Sequence, residues 1–282
     1  MQVKIGCELV YQAAHETPLV LLVRPRPQYH HKLIKETTRL TPEVPLHEFV
    51  DNFGNHQWRI TAPAGQLRIF YDAVAEVLPE PDPVLMDLPG HLVQDLPDEV
   101  LQFLLPSRHC PSDLIIGEAW QMFGDTTPGW PRVQAVCDWL HTNIKYAKGS
   151  NCCTTGYDAY KAGQGVCCDF AHMGVMFCRA LSMPARYVCG YLPEIGVIPD
   201  PSPMDFHAYF EAFVGGEWHT FDARHNIPRT GRVLIGQGRD AVDVALATSY
   251  GDAYLTSIRV WADEIIEGAT ESGAAPVEEV LP

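Results

Sequence analysis

Long apolar runs are missing from this chain. No stretch approaches the ~18 consecutive apolar residues that a membrane-spanning helix requires, so no membrane span and no membrane partner are expected. Positive charge is also scarce: 20 Lys and Arg stand against 35 Asp and Glu in 282 residues, a formal net charge of −15. A surface of that sign repels phosphate backbones, and no basic patch interrupts it, so nucleic acid is not an expected partner. The chain has no C-x-x-C, no H-E-x-x-H, no nucleotide-binding loop, no EF-hand loop and no internal repeat. The adjacent pairs Cys152-Cys153 and Cys167-Cys168 are poorly suited to zinc even with His172 nearby, because common zinc frameworks separate their cysteines by about two to four residues so that both sulfurs converge. No metal and no cofactor are expected. An export signal is lacking too: Met1 to Val10 contains no long apolar stretch and reads as a strand. The nine cysteines are therefore expected mainly as thiols, in a reducing cytoplasm.

What the chain does contain is strand patterning at both ends and helical patterning between. Val3, Ile5, Cys7, Leu9 and Tyr11 alternate with mainly polar residues, and Leu67, Ile69, Tyr71, Ala73, Ala75 and Val77 form a second alternating run. Leu19 to Arg24 and Gln57 to Thr61 are further strands, with turn chemistry at Phe53-Gly54-Asn55 and Ala64-Gly65. Short strands at this spacing predict a small antiparallel sandwich. Pro79, Pro81 and Pro83 can neither donate to a ladder nor continue a helix, and they mark a linker. Helices are expected from Pro97 to Pro106, from Ser112 to Phe123, from Trp130 to Tyr146, from Gly156 to Ala162 and from Cys168 to Leu181. Strands return at Arg186 to Leu192, Phe206 to Val214, Glu217 to Asp222 and Tyr254 to Ala262. The expected division is an N-terminal β-rich domain over 1–78, a proline-rich linker over 79–96, an α+β core over 97–265 and a flexible acidic tail over 266–282.

The chemistry concentrates in Gly163-Gln164-Gly165-Val166-Cys167-Cys168-Asp169. Glycines lead into a thiol at the start of an amphipathic helix. Unpaired N–H groups and the positive end of the helix dipole favour thiolate there, and the same N–H groups can hold an oxyanion. Cys167 is the candidate nucleophile. A thiol nucleophile needs a base, and the base needs an orienting partner. Gly215-Gly216 predicts a two-residue hairpin in which Val214 faces Glu217. That register makes His207 and Asp222 diagonal neighbours on one face, as a hydrogen-bonded imidazole and carboxylate require; a three-residue loop would separate them.

With these residues in view, the chain resembles the transglutaminase-like superfamily. The resemblance rests on Gly165-Val166-Cys167-Cys168-Asp169-Phe170-Ala171-His172, on Arg179 to Tyr191, on His207-Ala208 and on Phe221-Asp222, over roughly residues 110–225. Leu22 to Arg26, Val50 to Asn55 and Gly238 to Val244 are similar to flanking parts of bacterial members. The resemblance implies a fold of helices packed on an antiparallel sheet, papain-like, after the N-terminal sandwich. It implies a Cys167, His207, Asp222 triad, with Gln164 as a candidate side-chain donor to the oxyanion. Cys168, where relatives often have Arg, is expected to be an inert neighbour, and Asp169 a first-turn acid favoured by the helix dipole. The expected activity is that of a thiol enzyme on amide bonds of a peptide or protein substrate through an acyl-thioester. Water as acceptor gives hydrolysis, the expected reaction. An amine acceptor gives transamidation, the alternative, and a non-enzymatic binding module is the remaining one.

Overall fold

The computed structural model describes residues 1–27 and 31–266; the acidic tail expected over 266–282 lies, beyond Ile266, outside the described residues. Six strands come first: β1 (Gln2–Ala13), β2 (Thr17–Leu21), β3 (His31–Thr41), β4 (His47–Val50), β5 (His56–Ala62) and β6 (Gly65–Val77). After a segment containing 3-10 turns come α1 (Ile116–Phe123), α2 (Trp130–Asn143), β7 (Lys145–Tyr146), α3 (Gly156–Ala162), β8 (Gln164–Gly165) and α4 (Cys167–Ala180). The chain then runs through β9 (Ala185–Tyr191), β10 (His207–Val214), β11 (Glu217–Phe221), β12 (Val233–Gly238), β13 (Ala247–Ser249) and β14 (Ala253–Glu264). The architecture is mixed α+β with antiparallel principal sheets, as expected.

Three four-stranded sheets organise the molecule, in the orders β14-β1-β6-β3, β13-β2-β5-β4 and β11-β10-β9-β12. The first two share one core. The alternating residues Val3, Ile5, Cys7 and Leu9 of β1 and Leu67, Ile69 and Tyr71 of β6 meet Leu19, Leu21, Trp58 and Ile60 from the facing sheet. Tyr191, Val233 and Ile235 of the third sheet enter that same core. The strand at 253–264, expected within the 97–265 segment, pairs along almost all of β1 (Val3↔Glu264 to Ala13↔Ala253). Trp261 Nε1 donates to Asp72 Oδ1 at 3.0 Å across that sheet. First and last strands thus close one sheet, and the N-terminal region is not separable in space from the rest of the chain.

Helices α2 and α4 cover one face of the third sheet, with α1 and α3 packed against α4. Val133, Val136 and Leu140 of α2 and Phe170, Met173 and Phe177 of α4 pack on Phe210, Ala212, Val214 and Phe221. Gly174 lets α4 approach closely: a Cβ there would lie 2.3 Å from Phe210 Cε1. The opposite face is covered by the stretch expected to be a linker. Leu96 and Val100 pack on Phe213 there; nearer its start the stretch lies against α2, with Trp130 N–H donating to Leu88 O at 3.0 Å, and meets the hairpin turn, with Gly215 N–H donating to Pro89 O at 2.9 Å. Residues 79–104 form a strap over the sheet. The helix expected to end at Pro106 is a 3-10 helix over Asp98–Leu104, and the one expected from Ser112 starts as a 3-10 turn before α1.

Candidate active site

Two short strands fix the lead into α4. Lys145 N–H donates to Gly163 O at 2.9 Å and Ala147 N–H to Gly165 O at 3.0 Å, so the glycine-rich segment is held in parallel pairing beside β7. Asp169 then turns back on the helix start: its Oδ2 accepts the Val166 N–H at 2.8 Å. This buried carboxylate fastens the first turn, the role expected of a first-turn acid. Cys167 is thereby the first residue of α4, half-buried, with an N–H that has no intrahelical acceptor.

The hairpin supplies the other two groups. β10 and β11 pair with Val214 opposite Glu217 and Phe210 opposite Phe221, the two-residue-loop register, and Gly215 and Gly216 both take positive φ in the turn (62° and 91°). His207 Nε2 and Asp222 Oδ2 lie 2.7 Å apart, both groups buried. Cys167 is near enough to the same imidazole for its sulfur to raise the histidine pKa. Asp222 occupies Nε2, so Nδ1 is the ring nitrogen not engaged by the carboxylate. The Cys167 Sγ also lies 4.0 Å from Phe206 O.

The electrostatics derive from this geometry. Burial disfavours a charged His207, but the Asp222 carboxylate and the Cys167 sulfur outweigh it, and the imidazole pKa is raised above its ordinary 6.5. Burial also works against an ionised Asp222, yet His207 and Arg232 hold its carboxyl well below the usual carboxylate range. Cys168 is different: burial and the neighbouring Asp169 push its thiol up. Of the two adjacent thiols, Cys167 is the one against the imidazole.

Three residues around Cys167, His207 and Asp222 carried no sequence signal. Arg232 Nη2 donates to Asp222 Oδ2 at 3.0 Å, and its Nε donates to Asp82 Oδ2 at 2.8 Å. His225 donates its backbone N–H to Asp222 Oδ1 at 3.2 Å, and its ring lies 4.9 Å from that of His207. Burial drives the His225 pKa down to about 3, so this second imidazole is neutral. His207, Asp222 and His225 offer ligand atoms within 4.8 Å of one another. The Arg232 guanidinium on Asp222 sets a fixed positive charge against any cation there, so the donor set reads as a hydrogen-bonded constellation. Gln164 sits exposed in β8 with its Nε2 beside Gly149, and among the described residues no hydrogen bond joins it to Cys167, His207 or Asp222. On the rim, the Arg224 guanidinium lies 3.9 Å from the centroid of Tyr146.

The sequence pattern of the transglutaminase-like superfamily matches residues 119–223, the stretch from α1 through Asp222. Among solved structures, a Cytophaga hutchinsonii protein described as a "putative cysteine protease" superposes with a TM-score of 0.87 at 33% identity, over 98% of this chain and 94% of its own. This chain belongs to the transglutaminase-like superfamily. An uncharacterised protein of Mycobacterium leprae is 27% identical over 231 residues, which is 78% of this chain and 81% of that protein. One from Mycobacterium tuberculosis is 26% identical over 219 residues, 69% and 68% of the two chains. The superfamily assignment covers the helices and the hairpin that carry the three residues. The superposition extends it to the N-terminal sheets.

Proposed function

We propose that the protein is a thiol amidohydrolase, cleaving amide bonds of a peptide or protein substrate through an acyl-thioester on Cys167. The observation that carries the reading is His207 Nε2 2.7 Å from the buried, ionised Asp222, beside Cys167 at the start of α4, whose sulfur helps raise the imidazole pKa. In the proposed cycle His207 accepts the Cys167 proton and the thiolate attacks the amide carbonyl. The oxyanion is held by the Cys167 backbone N–H, with Gln164 as the second donor after a side-chain rotation. His207 returns the proton to the leaving amine. Water then adds to the thioester, giving a carboxylate and free thiol. Asp222 fixes the tautomer and supports the imidazolium.

The proposed compartment is the reducing cytoplasm, where the exposed Cys152 and Cys153 stay thiols alongside the seven others. Among the described residues no helix is long and apolar enough to cross a membrane.

Alkylation by iodoacetamide at pH 6, read by peptide mass spectrometry, tests the nucleophile. Cys167 should label well ahead of an ordinary thiol of pKa near 8.5. Labelling of Cys168 in its place would name the wrong sulfur, and a slow Cys167 would favour a binding module. A glutaminyl peptide incubated with a primary amine then tests the acceptor: the hydrolysed product should dominate, and a dominant amine adduct would establish transamidation.

A further inference from the structure

The strap that crosses the sheet brings one acid to the far side of the triad. Asp82 lies between Pro81 and Pro83, and its backbone N–H donates to Arg229 O at 2.8 Å. Its Oδ2 accepts both the Arg229 N–H, at 3.0 Å, and the Arg232 Nε, at 2.8 Å. Arg232 in turn donates to Asp222 Oδ2 at 3.0 Å, and its guanidinium lies 4.5 Å from the centroid of Tyr209. A continuous series therefore runs from Asp82 through Arg232 and Asp222 to His207.

The charges in that series explain why an acid is needed at its end. Behind His207 stand two guanidinium groups, Arg232 and Arg229, the neutral His225, the hydroxyl of Tyr209 and the carboxylates Asp222 and Asp82, with Glu194 acting on Arg229. In front of it stand Cys167 and Asp205. Without Asp82, Asp222 alone would face both guanidiniums, and its hold on an imidazolium would weaken. Asp82 also lines, with Trp130, Gln134, Asp222 and Asn226, a cavity of about 50 Å³ between the strap and α2. Asp222 is itself buried, which keeps its field on His207 strong.

We infer that Asp82 is a positioning residue for the triad, acting through Arg232 to keep Asp222 oriented and its charge available to His207. The inference rests on the triad reading proposed above. It makes the proline-rich strap part of the site: loss of one carboxylate in the strap, on the far side of Arg232 from Asp222, alters the sulfur's reactivity.

The test uses the full chain with Asp82→Asn, which keeps shape and removes charge, and Asp82→Glu, which keeps charge. Two readouts are followed across pH: the histidine-ring NMR titration of His207 and the rate of Cys167 alkylation by iodoacetamide. Asp82→Asn should move the His207 midpoint to lower pH and slow Cys167 labelling at pH 6 severalfold, up to tenfold for each pH unit of movement. Asp82→Glu should restore most of both. A folded Asp82→Asn, by near-UV circular dichroism, with midpoint and labelling unchanged would overturn the inference. Asp82→Ser gives the same two readings should Asp82→Asn fail to fold. A slow wild-type Cys167 counts against the triad reading alone, because the His207 midpoint reports the coupling whether or not the sulfur reacts.

Discussion

Cys167 and Cys168 are chemically identical neighbours, and their surroundings separate them. Cys168 turns into the core beside Asp169, where burial holds the thiol protonated. Cys167 neighbours His207, whose pKa is raised by a buried carboxylate and by the sulfur itself. That mutual dependence can be measured. With Cys167→Ala, one of the two groups that favour the imidazolium is gone, so the His207 midpoint in a ring-NMR titration should fall relative to wild type. Stability changes with it. A histidine whose folded pKa lies above its ordinary 6.5 contributes stability that is fully present below that pH and is lost as pH rises through the folded value. Wild type should therefore lose melting temperature on that alkaline rise, and Cys167→Ala less of it. An unmoved His207 midpoint would mean the thiol and imidazole do not interact. A second histidine shows the opposite environment: His172, buried between the rings of His109 and Tyr187, accepts the Ala241 N–H at 3.2 Å, and burial lowers its pKa. It serves the fold as a neutral acceptor.

Among the elements, α4 is the one on which the site depends, because its N-terminus carries Cys167 and its body must lie close against β10. Gly174 sets that distance. Helix propensity alone says Gly174→Ala should stabilise α4 by about 1 kcal/mol. Packing says the reverse, since the new methyl would enter the fully buried Phe210 ring and overpacking costs about 1–3 kcal/mol. The packing term is the larger, so Gly174→Ala should lower the melting temperature and, by tilting the helix, slow Cys167 alkylation. Phe210→Leu in the same chain should recover part of both, and a stabilised Gly174→Ala would show that α4 does not pack as described. Elements of this kind were legible in the sequence. α3 spans Gly156–Ala162 as expected, and α4, β10 and β11 fall within a residue of expectation, because their apolar spacing is regular and the two-glycine turn admits one register. β3 and β12 were not. Along β3 a polar, mostly exposed edge strand shows no apolar alternation, and β12 is buried throughout yet contains two glycines in six residues. The His207–Asp222 pairing and the place of Cys167 at the start of α4 were legible for the same reason as their elements. Asp82, Arg232 and His225 were not, since their placement depends on where the strap and the loop after β11 cross, which no local pattern encodes.

At the scale of the whole molecule, chain order and spatial order diverge. A boundary near residue 78 looks natural in the sequence, where strands end and prolines begin. In space β14 completes the sheet of β1, β13 completes the sheet of β2, and Asn55 spans the junction, its Nδ2 donating to Gln237 O and its Oδ1 accepting the Gln237 N–H, both at 2.9 Å. Arg26 adds a backbone hydrogen bond to Leu234 at 3.1 Å. Removing residues 1–78 would strip β14 and β13 of their partners and expose Tyr191, Val233 and Ile235, which lie in the shared core. Buried apolar surface is worth about 25 cal/mol per Å², so exposing one sheet face forfeits more than the roughly 5–15 kcal/mol by which a protein of this size is stable. A fragment starting at residue 79 should therefore bind the apolar dye ANS, lose near-UV circular dichroism and leave Cys167 no more reactive than an ordinary thiol, while the intact chain unfolds in one calorimetric transition. A fragment that keeps a cooperative transition and a fast Cys167 would show that the N-terminal sheets are accessory; its collapse would make them part of what holds Cys167 in place.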